Sequence, residues 1–554
     1  MEDTSGTLRT STGKIKLFRI IASVILSGIL SFGLCIVGQF LFLEPDDTLL
    51  SWCVEGAYGV ENSEYLVFSN IILGWAMKII ARLLPNLNAY AICLMGIEMI
   101  SFAVLYLAMW RRYKKRSLII LFAIIEALLS ANFTYTILAA VVTVIGIILM
   151  QQPCNKTERI FGLVFTWTGF LIRIPAFAVG VGLGAVLCVA DYCKKNHRKK
   201  LIQNVVILFA ACTVAVGINS AAYGKDPQYA LQQQRLQYRL MDYHIIDYES
   251  HASEFAEIGW SKNDWDCYYS WAFADSDTFS IEKLSQVEEL DSFSNRYELS
   301  PLVLIEKMLT NKYNYMFALF MVIIFFPYLK QMFFEKEKMR MWEIWLTVIF
   351  TYGIVLLLYV RQRANQNVVL MVLFSSASVL IYLLGSMRAT GTKGTISLIF
   401  AGAFALSLLC VRYDADRNTY YRATQNTAEV LAWQQENTDR FLVTTTGIIS
   451  DFYKVPMFPG MADDFVLARQ KLGSWDFQSR RWCDQLNAYG IDPDHLITEI
   501  ATNDKIDFIA DSQQMLDKVC TYLKEHLQLK DVELHVVTVL PNTGRTIYHI
   551  EGKS

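Results

Sequence analysis

The chain has 554 residues, 54% of them hydrophobic and 18% charged, with a formal net charge of -2. Its apolar residues fall in long blocks rather than in amphipathic alternation, which excludes an ordinary soluble domain and predicts a polytopic α-helical membrane protein. Lysines and arginines sit in short loops instead of on one basic face, which argues against nucleic acid as a partner.

Residues 1–16 are polar and basic. The apolar run 17–43 is too long for a signal-peptide core and lacks a small-residue cleavage pattern, so it reads as a retained first span. Directly after it stands EPDDTLLSWCVEGAYG, residues 44–59, with Glu44, Asp46 and Asp47 at the mouth of the span. Carboxylates at that depth are costly unless they face water, a cation or a reacting group. Asp46 and Asp47 are therefore the candidate catalytic acids, and Glu44 a candidate substrate contact. The competing role is a solvated turn that caps the next helix, since Asp is a good N-cap. The segment EYLVFSNIILGWAMKIIARLLP then carries Asn70, Gly74, Lys78 and Arg82 at four-residue spacing, one polar stripe on an interfacial helix ended by Pro85. Lys78 and Arg82 are candidates to meet a lipid phosphate, in competition with plain snorkelling to headgroups.

A second span near 89–110 stops at the basic cluster RRYKKR, 111–116. Apolar stretches 117–131 and 133–150 follow. Next come 160–172 and 175–190, broken at Arg173 and Pro175 as a re-entering hairpin or two short spans. Runs at 201–219, 313–329, 342–360, 366–386 and 395–411 bring the expected total to about eleven, at about 20 residues per crossing. With the N-terminus inside, the basic loops at 111–116, 194–200, 330–340 and 388–393 all fall on the cytoplasmic face, as the positive-inside bias expects. The acid pair, the loop 220–312 and the tail 412–554 then share the extracytoplasmic side. In that tail, a helix near 426–437, strands near 440–447, 505–511 and 532–540, a helix near 513–527 and a last strand in GRTIYHIEG predict a small α/β domain. The expected division is thus 1–411, a transmembrane domain including the outer loops 44–88 and 220–312, and 412–554, an extracytoplasmic α/β domain. No GxGxxG, Walker or nucleophile-elbow motif occurs.

Moving a sugar off a lipid phosphate requires a carboxylate to take the acceptor's proton and a cation to meet the charge on the leaving phosphate. Arg173, Arg361 and Arg363 stand near the predicted outer ends of spans, against the usual bias, and a guanidinium fork suits phosphate. Asn263 and Asp264, in the outer-loop stretch NDWDCYYSWAFAD, are further candidate substrate contacts. Asp46 and Asp47 also offer a seat for a divalent cation, Mg or Mn, which leaves metal dependence open. Glu98 and Glu126 lie inside apolar runs, where a buried ion pair is the ordinary expectation, and His244 and His251 have no placed partners. The cysteines are scattered, with one disulfide open among Cys53, Cys267, Cys483 and Cys520.

An acidic pair beyond the first span, a re-entrant-looking segment, ten or more spans and an outer tail resemble the GT-C class of polyprenyl-phosphate-sugar-dependent membrane glycosyltransferases. That class includes the protein mannosyltransferases and aminoarabinose transferases. The resemblance covers 17–411 at the level of fold, and its matching motif is EPDD. DDTLLSWCVEGAYG, LGWAMKIIARLLPNLNAY, ANFTYTILAA and NDWDCYYSWAFAD look, more narrowly, like a bacterial group of that general shape. The resemblance implies a cell-membrane enzyme that transfers a sugar, with inversion, from a polyprenyl-phosphate donor to an envelope glycan, lipid or protein. Asp46 or Asp47 is then the base. The WWDYG-type motif of oligosaccharyltransferases is missing. Two other readings stand beside it: an O-antigen-type polymerase or ligase relying on Arg361 and Arg363, and a transporter or envelope scaffold, for which no internal repeat is seen.

Overall fold

The computed structural model describes residues 17–57, 59–85, 87–192, 195–224, 226–242, 246–290, 301–328, 341–361, 363–385, 387, 391–445, 457 and 469–553. The N-terminal 1–16, His244 and the basic loop 330–340 lie outside the described residues.

A long apolar helix, α1 (Leu17–Gly38), leads into a short one, α2 (Pro45–Glu55), whose first turn carries Asp46 and Asp47. Pro45 opens α2 at a position where its missing N–H costs nothing, and the acids sit where the helix dipole favours negative charge. The interfacial segment forms α3 (Ile71–Leu83), capped by Asn70 and ending two residues before Pro85. Then follow α4 (Ala89–Tyr113), α5 (Arg116–Ala131), α6 (Tyr135–Met150), α7 (Lys156–Ile172), α8 (Ile174–Tyr192) and α9 (Lys195–Tyr223). After most of the expected loop 220–312, α10 (Pro301–Thr310) and α11 (Lys312–Phe325) precede α12 (Met341–Val360), α13 (Gln366–Leu384) and α14 (Gly391–Glu436).

Among the described residues, six helices are long and apolar enough to cross a membrane, or seven if a pair bent by 66° at residue 311 counts as one. The remaining apolar runs do form helices, but short ones. The 16 residues of α6 rise about 24 Å at 1.5 Å per residue, less than the roughly 30 Å of a hydrocarbon core. Every residue of α6 from Tyr135 to Leu149 is buried, so this helix is the axis of the bundle rather than a lipid-facing wall. Close approach makes that packing possible. A Cβ on Gly146 would lie 2.6 Å from the Gly162 carbonyl of α7, and one on Gly169 would lie 2.6 Å from that of Ala139.

Two expectations change inside the bundle. Glu98 and Glu126 have no cationic partner among the described residues; hydroxyls hold them, with Ser130 donating to Glu98 at 2.7 Å and Ser27, Ser31 and Tyr106 to Glu126. Short hydroxyls reach a carboxyl between close-packed helices, where a lysine or arginine stem has no room. The polar stripe of α3 also faces protein: Asn70 donates to the Ala215 carbonyl at 3.0 Å, Gly74 abuts the Glu64 backbone, and Lys78 pairs with the Glu64 side chain. Lys78 is thereby committed to Glu64, while Arg82 is exposed in the last turn.

Residues read as a span (395–411) and a separate helix (426–437) are one helix, α14, of 46 residues, roughly 69 Å long. No glycine or proline interrupts it after Gly402, and Arg412 pairs with Asp416 one turn on. It delivers the chain to a five-stranded sheet of order β2-β1-β3-β5-β4, in which β1 (Phe441–Thr444) runs parallel to β2 (Arg469–Lys471) and β3 (Ile506–Ile509). The hairpin β4 (Asp531–Val539) and β5 (Thr546–Lys553) pairs antiparallel and joins through β5 to β3. Four of these strands match the sequence reading; three-residue β2 was missed. The aromatics of the segment between α9 and α10, Phe255, Trp260, Trp265, Tyr268, Phe273 and Phe279, share one core with the sheet, so segment and tail fold together. Cys53, Cys267, Cys483 and Cys520 are all free thiols.

Candidate functional site

Asp47 and Asp46 are neighbours in sequence with different surroundings. Asp47 is fully buried; its Oδ1 accepts from the Tyr90 hydroxyl at 2.8 Å and from the Tyr135 backbone N–H at 3.0 Å. It thus staples α2 to the N-termini of α4 and α6. Asp46 is half-buried. Its charge is felt by Arg173, Tyr135, Tyr90 and Lys471, which surround it on several elements.

Arg173 stands at the break between α7 and α8 and turns inward. Its guanidinium donates to the Tyr135 hydroxyl at 2.8 Å and to the Thr136 hydroxyl, and it lies 4.9 Å from the Tyr135 ring centroid and 5.5 Å from that of Phe68. Phe68 in turn stacks on Tyr135 and meets Trp475 at 5.5 Å. A wall of Trp475, Phe68 and Tyr135 therefore runs from the sheet region to the acid pair, with a guanidinium set over it.

Burial pushes the Asp47 carboxyl up to about 7, against the opposing hydrogen bonds from Tyr135, Thr134 and Tyr90. A raised carboxyl means that this group's stabilising contribution is complete below its ordinary value of 3.8 and is lost as pH rises through about 7. Asp47→Asn keeps an acceptor for Tyr90 and Tyr135 but has no proton to lose. Between about pH 4 and pH 8 the variant is expected to lose less stability than the wild type, the curves diverging by up to about 1.4 kcal/mol per pH unit. Thermal unfolding midpoints measured across that range check this, and parallel curves would contradict it.

The other candidates fall into three groups. Glu44 caps the entry to α2 through its backbone and lies in the field of Arg412. Arg363 stacks on Tyr238, 4.9 Å from the ring centroid, and Tyr238 is also in the field of Arg173, so Arg363 belongs to the same cationic side; Arg361 is half-buried just before it. Asn263 and Asp264 serve the core shared with the sheet instead. Asn263 donates to the Lys518 carbonyl at 3.0 Å, and Asp264 closes a capping box with Ser261 and bonds His526 at 2.8 Å.

Tyr90, Tyr135, Phe68 and Lys471 were not singled out from the sequence. Lys471 is buried at the end of β2, and burial pulls its ammonium down to about 7, with Asp46 opposing and Arg481 assisting the fall. Among the described residues, sets of three close metal-ligand atoms occur at Asp264, Glu525 and His526 and at Glu533, His535 and Glu551, and neither includes Asp46 or Asp47. The cations whose fields reach the acid pair are Arg173 and Lys471.

Beside this centre, a cavity of about 300 Å³ opens between α5, α11, α13 and α14. Leu128, Phe317, Leu370, Phe374, Phe404 and Leu408 make it largely apolar, and Asn132, Lys312 and Arg412 also line it. Arg412 there donates to the carbonyls of Leu41 at 3.2 Å and Ala131 at 3.1 Å, the loops leading into Asp46 and Tyr135.

No protein-family model matches the sequence, and no curated protein matches it. Two solved structures align along almost the whole chain. ArnT from Cupriavidus metallidurans bound to undecaprenyl phosphate is 12% identical, with 97% of this chain and 98% of that chain covered and a TM-score of 0.40. The same protein in the apo state gives 12% identity, the same coverage and a TM-score of 0.39.

Proposed function

We propose that the chain is a membrane glycosyltransferase that takes a sugar from a polyprenyl-phosphate donor. The observation that carries this reading is an acid pair in the field of an inward-turned guanidinium, with an apolar cavity whose lining residue Arg412 bonds the loops leading into Asp46 and Tyr135. An isoprenoid tail suits the cavity, and a sugar phosphate suits its cationic lining residues. Asp46 is the base, because it is the accessible member of the pair; Asp47 orients the first turn of α2. In the transfer, the acceptor oxygen gives its proton to Asp46 and forms a bond to the anomeric carbon. The bond from that carbon to the phosphate oxygen breaks, and the phosphate departs with the electron pair toward Arg173. Positive charge comes from the protein's own arginine and lysine.

In this reading the helices thread the cell membrane about eleven times, short ones included, with the acid pair, the outer segment and the α/β tail on the extracytoplasmic side. The acceptor is an envelope glycan, lipid or protein.

Met316→Trp tests the tail site, because Met316 is a half-buried lining residue whose enlargement narrows the cavity. Purified protein is supplied with the carrier-lipid fraction of native membranes, and released polyprenyl phosphate is read by mass spectrometry. The variant is expected to need about 10-fold more donor for half-maximal rate, a loss of about 1.4 kcal/mol in binding, with the saturated rate unchanged. An unchanged donor requirement counts against the cavity as the tail site.

A further inference from the structure

The strand β2 is only three residues long, yet it is gripped on both sides. Leu472, just beyond it, donates to the Thr444 carbonyl at 3.0 Å, and its own carbonyl accepts from Phe273 at 3.0 Å and Ala274 at 2.8 Å. A Cβ on Gly473 would run into the Trp271 carbonyl, so the chain here lies flush against the segment between α9 and α10. This clamp fixes Lys471, which is 3% exposed and whose ammonium makes no hydrogen bond or ion pair among the described residues. Burying a cation without a partner is costly, and a close-packed core ordinarily avoids it. The charged and titratable groups whose fields act on it are Asp46 and Cys53 along α2, and Arg481 from the helix Arg480–Ala488. The charge of Asp46 also acts on Asp47, Tyr90, Tyr135 and Arg173.

We infer that Lys471 is a positioning residue for Asp46, inserted by the edge strand of the C-terminal sheet so that the acid stays a carboxylate aimed into the site. The sheet is then a working part of the reaction centre. This rests on the reading of Asp46 as the base. Cys53 is a buried thiol, which leaves Asp46 as the one carboxylate among the groups whose fields act on Lys471. Arg481 already pairs with Asp476 and adds only repulsion.

A positioning role and a packing role separate cleanly in Lys471→Met, which keeps the length of the side chain and removes its charge. The full-length protein in detergent is compared with this variant, with Lys471→Arg, with Asp46→Asn and with the double variant, using the same carrier-lipid donor. The expected result is a Lys471→Met protein with an unfolding midpoint equal to or above that of the wild type, a saturated rate lower by about 10-fold or more, and an unchanged half-saturating donor level. Lys471→Arg restores most of the rate. Asp46→Asn lowers the midpoint in the wild-type background and not in the Lys471→Met background, which measures the coupling without any turnover. An unchanged rate in Lys471→Met, a joint loss of rate and midpoint, or additive midpoints in the double variant overturns the inference. Full activity in Asp46→Asn overturns the assignment of the base instead, and the midpoint cycle still reports whether Lys471 and Asp46 interact.

Discussion

Asp46→Asn is expected to lower the transfer rate by about 10² to 10⁴, the usual worth of a positioned general base, in a protein that still folds. The amide has the shape of the acid and stays on the first turn of α2, so the donor keeps its cavity and its cations. What disappears is the group proposed to accept the proton as the new bond forms. Asp47→Asn is expected to be far milder, because the acceptor of the Tyr90 and Tyr135 hydrogen bonds survives in the amide. Rates from the carrier-lipid assay, beside unfolding midpoints, decide between the two acids. If Asp46→Asn turns over at the wild-type rate, or if the large loss belongs to Asp47→Asn, the proposed roles are wrong.

Arg173→Met is the second large effect, an expected loss of about 10² to 10³ in rate, the scale seen when one donor to a developing anion is removed. The guanidinium is preorganised, bonded to Tyr135 and Thr136 and held over two rings, so little ordering is left for the reaction to supply. Arg173→Lys is not expected to restore it. One ammonium cannot bond two hydroxyls in a fork, lie flat on the aromatic wall and still present a donor to phosphate. The loss should appear in the saturated rate more than in the donor level required. Arg361→Met and Arg363→Met serve as the comparison: a larger loss there, with Asp46 dispensable, would move the chemistry to the second set of arginines and favour a polymerase or ligase.

Some of this was legible in the sequence because it depends on local cost. Acids beside an apolar run, and an arginine breaking one at Arg173, violate the rules of a hydrocarbon environment and can be seen without coordinates. Helix positions followed from apolar blocks, and the strands near 441, 506, 531 and 546 followed from alternation. Lys78, Asn263 and Asp264 looked equally unusual, but their partners, Glu64, Lys518 and His526, lie elsewhere in the chain. An unusual residue is marked in sequence; whether protein, lipid or ligand answers it is not.

By itself, then, the sequence determined a chain built to lie in a bilayer, most of the strands of its tail and the presence of two acids at a costly position. Those properties are set by how each short segment partitions between water and an apolar medium. Only the tertiary structure decided that Asp47 is enclosed while Asp46 is half-buried, that Tyr135 and Phe68 hold Arg173, and that a three-residue strand more than 400 residues downstream sets Lys471 in the field of the same acid. Each depends on which distant surfaces meet, and hydrophobic burial specifies that they meet without naming the few polar atoms enclosed between them.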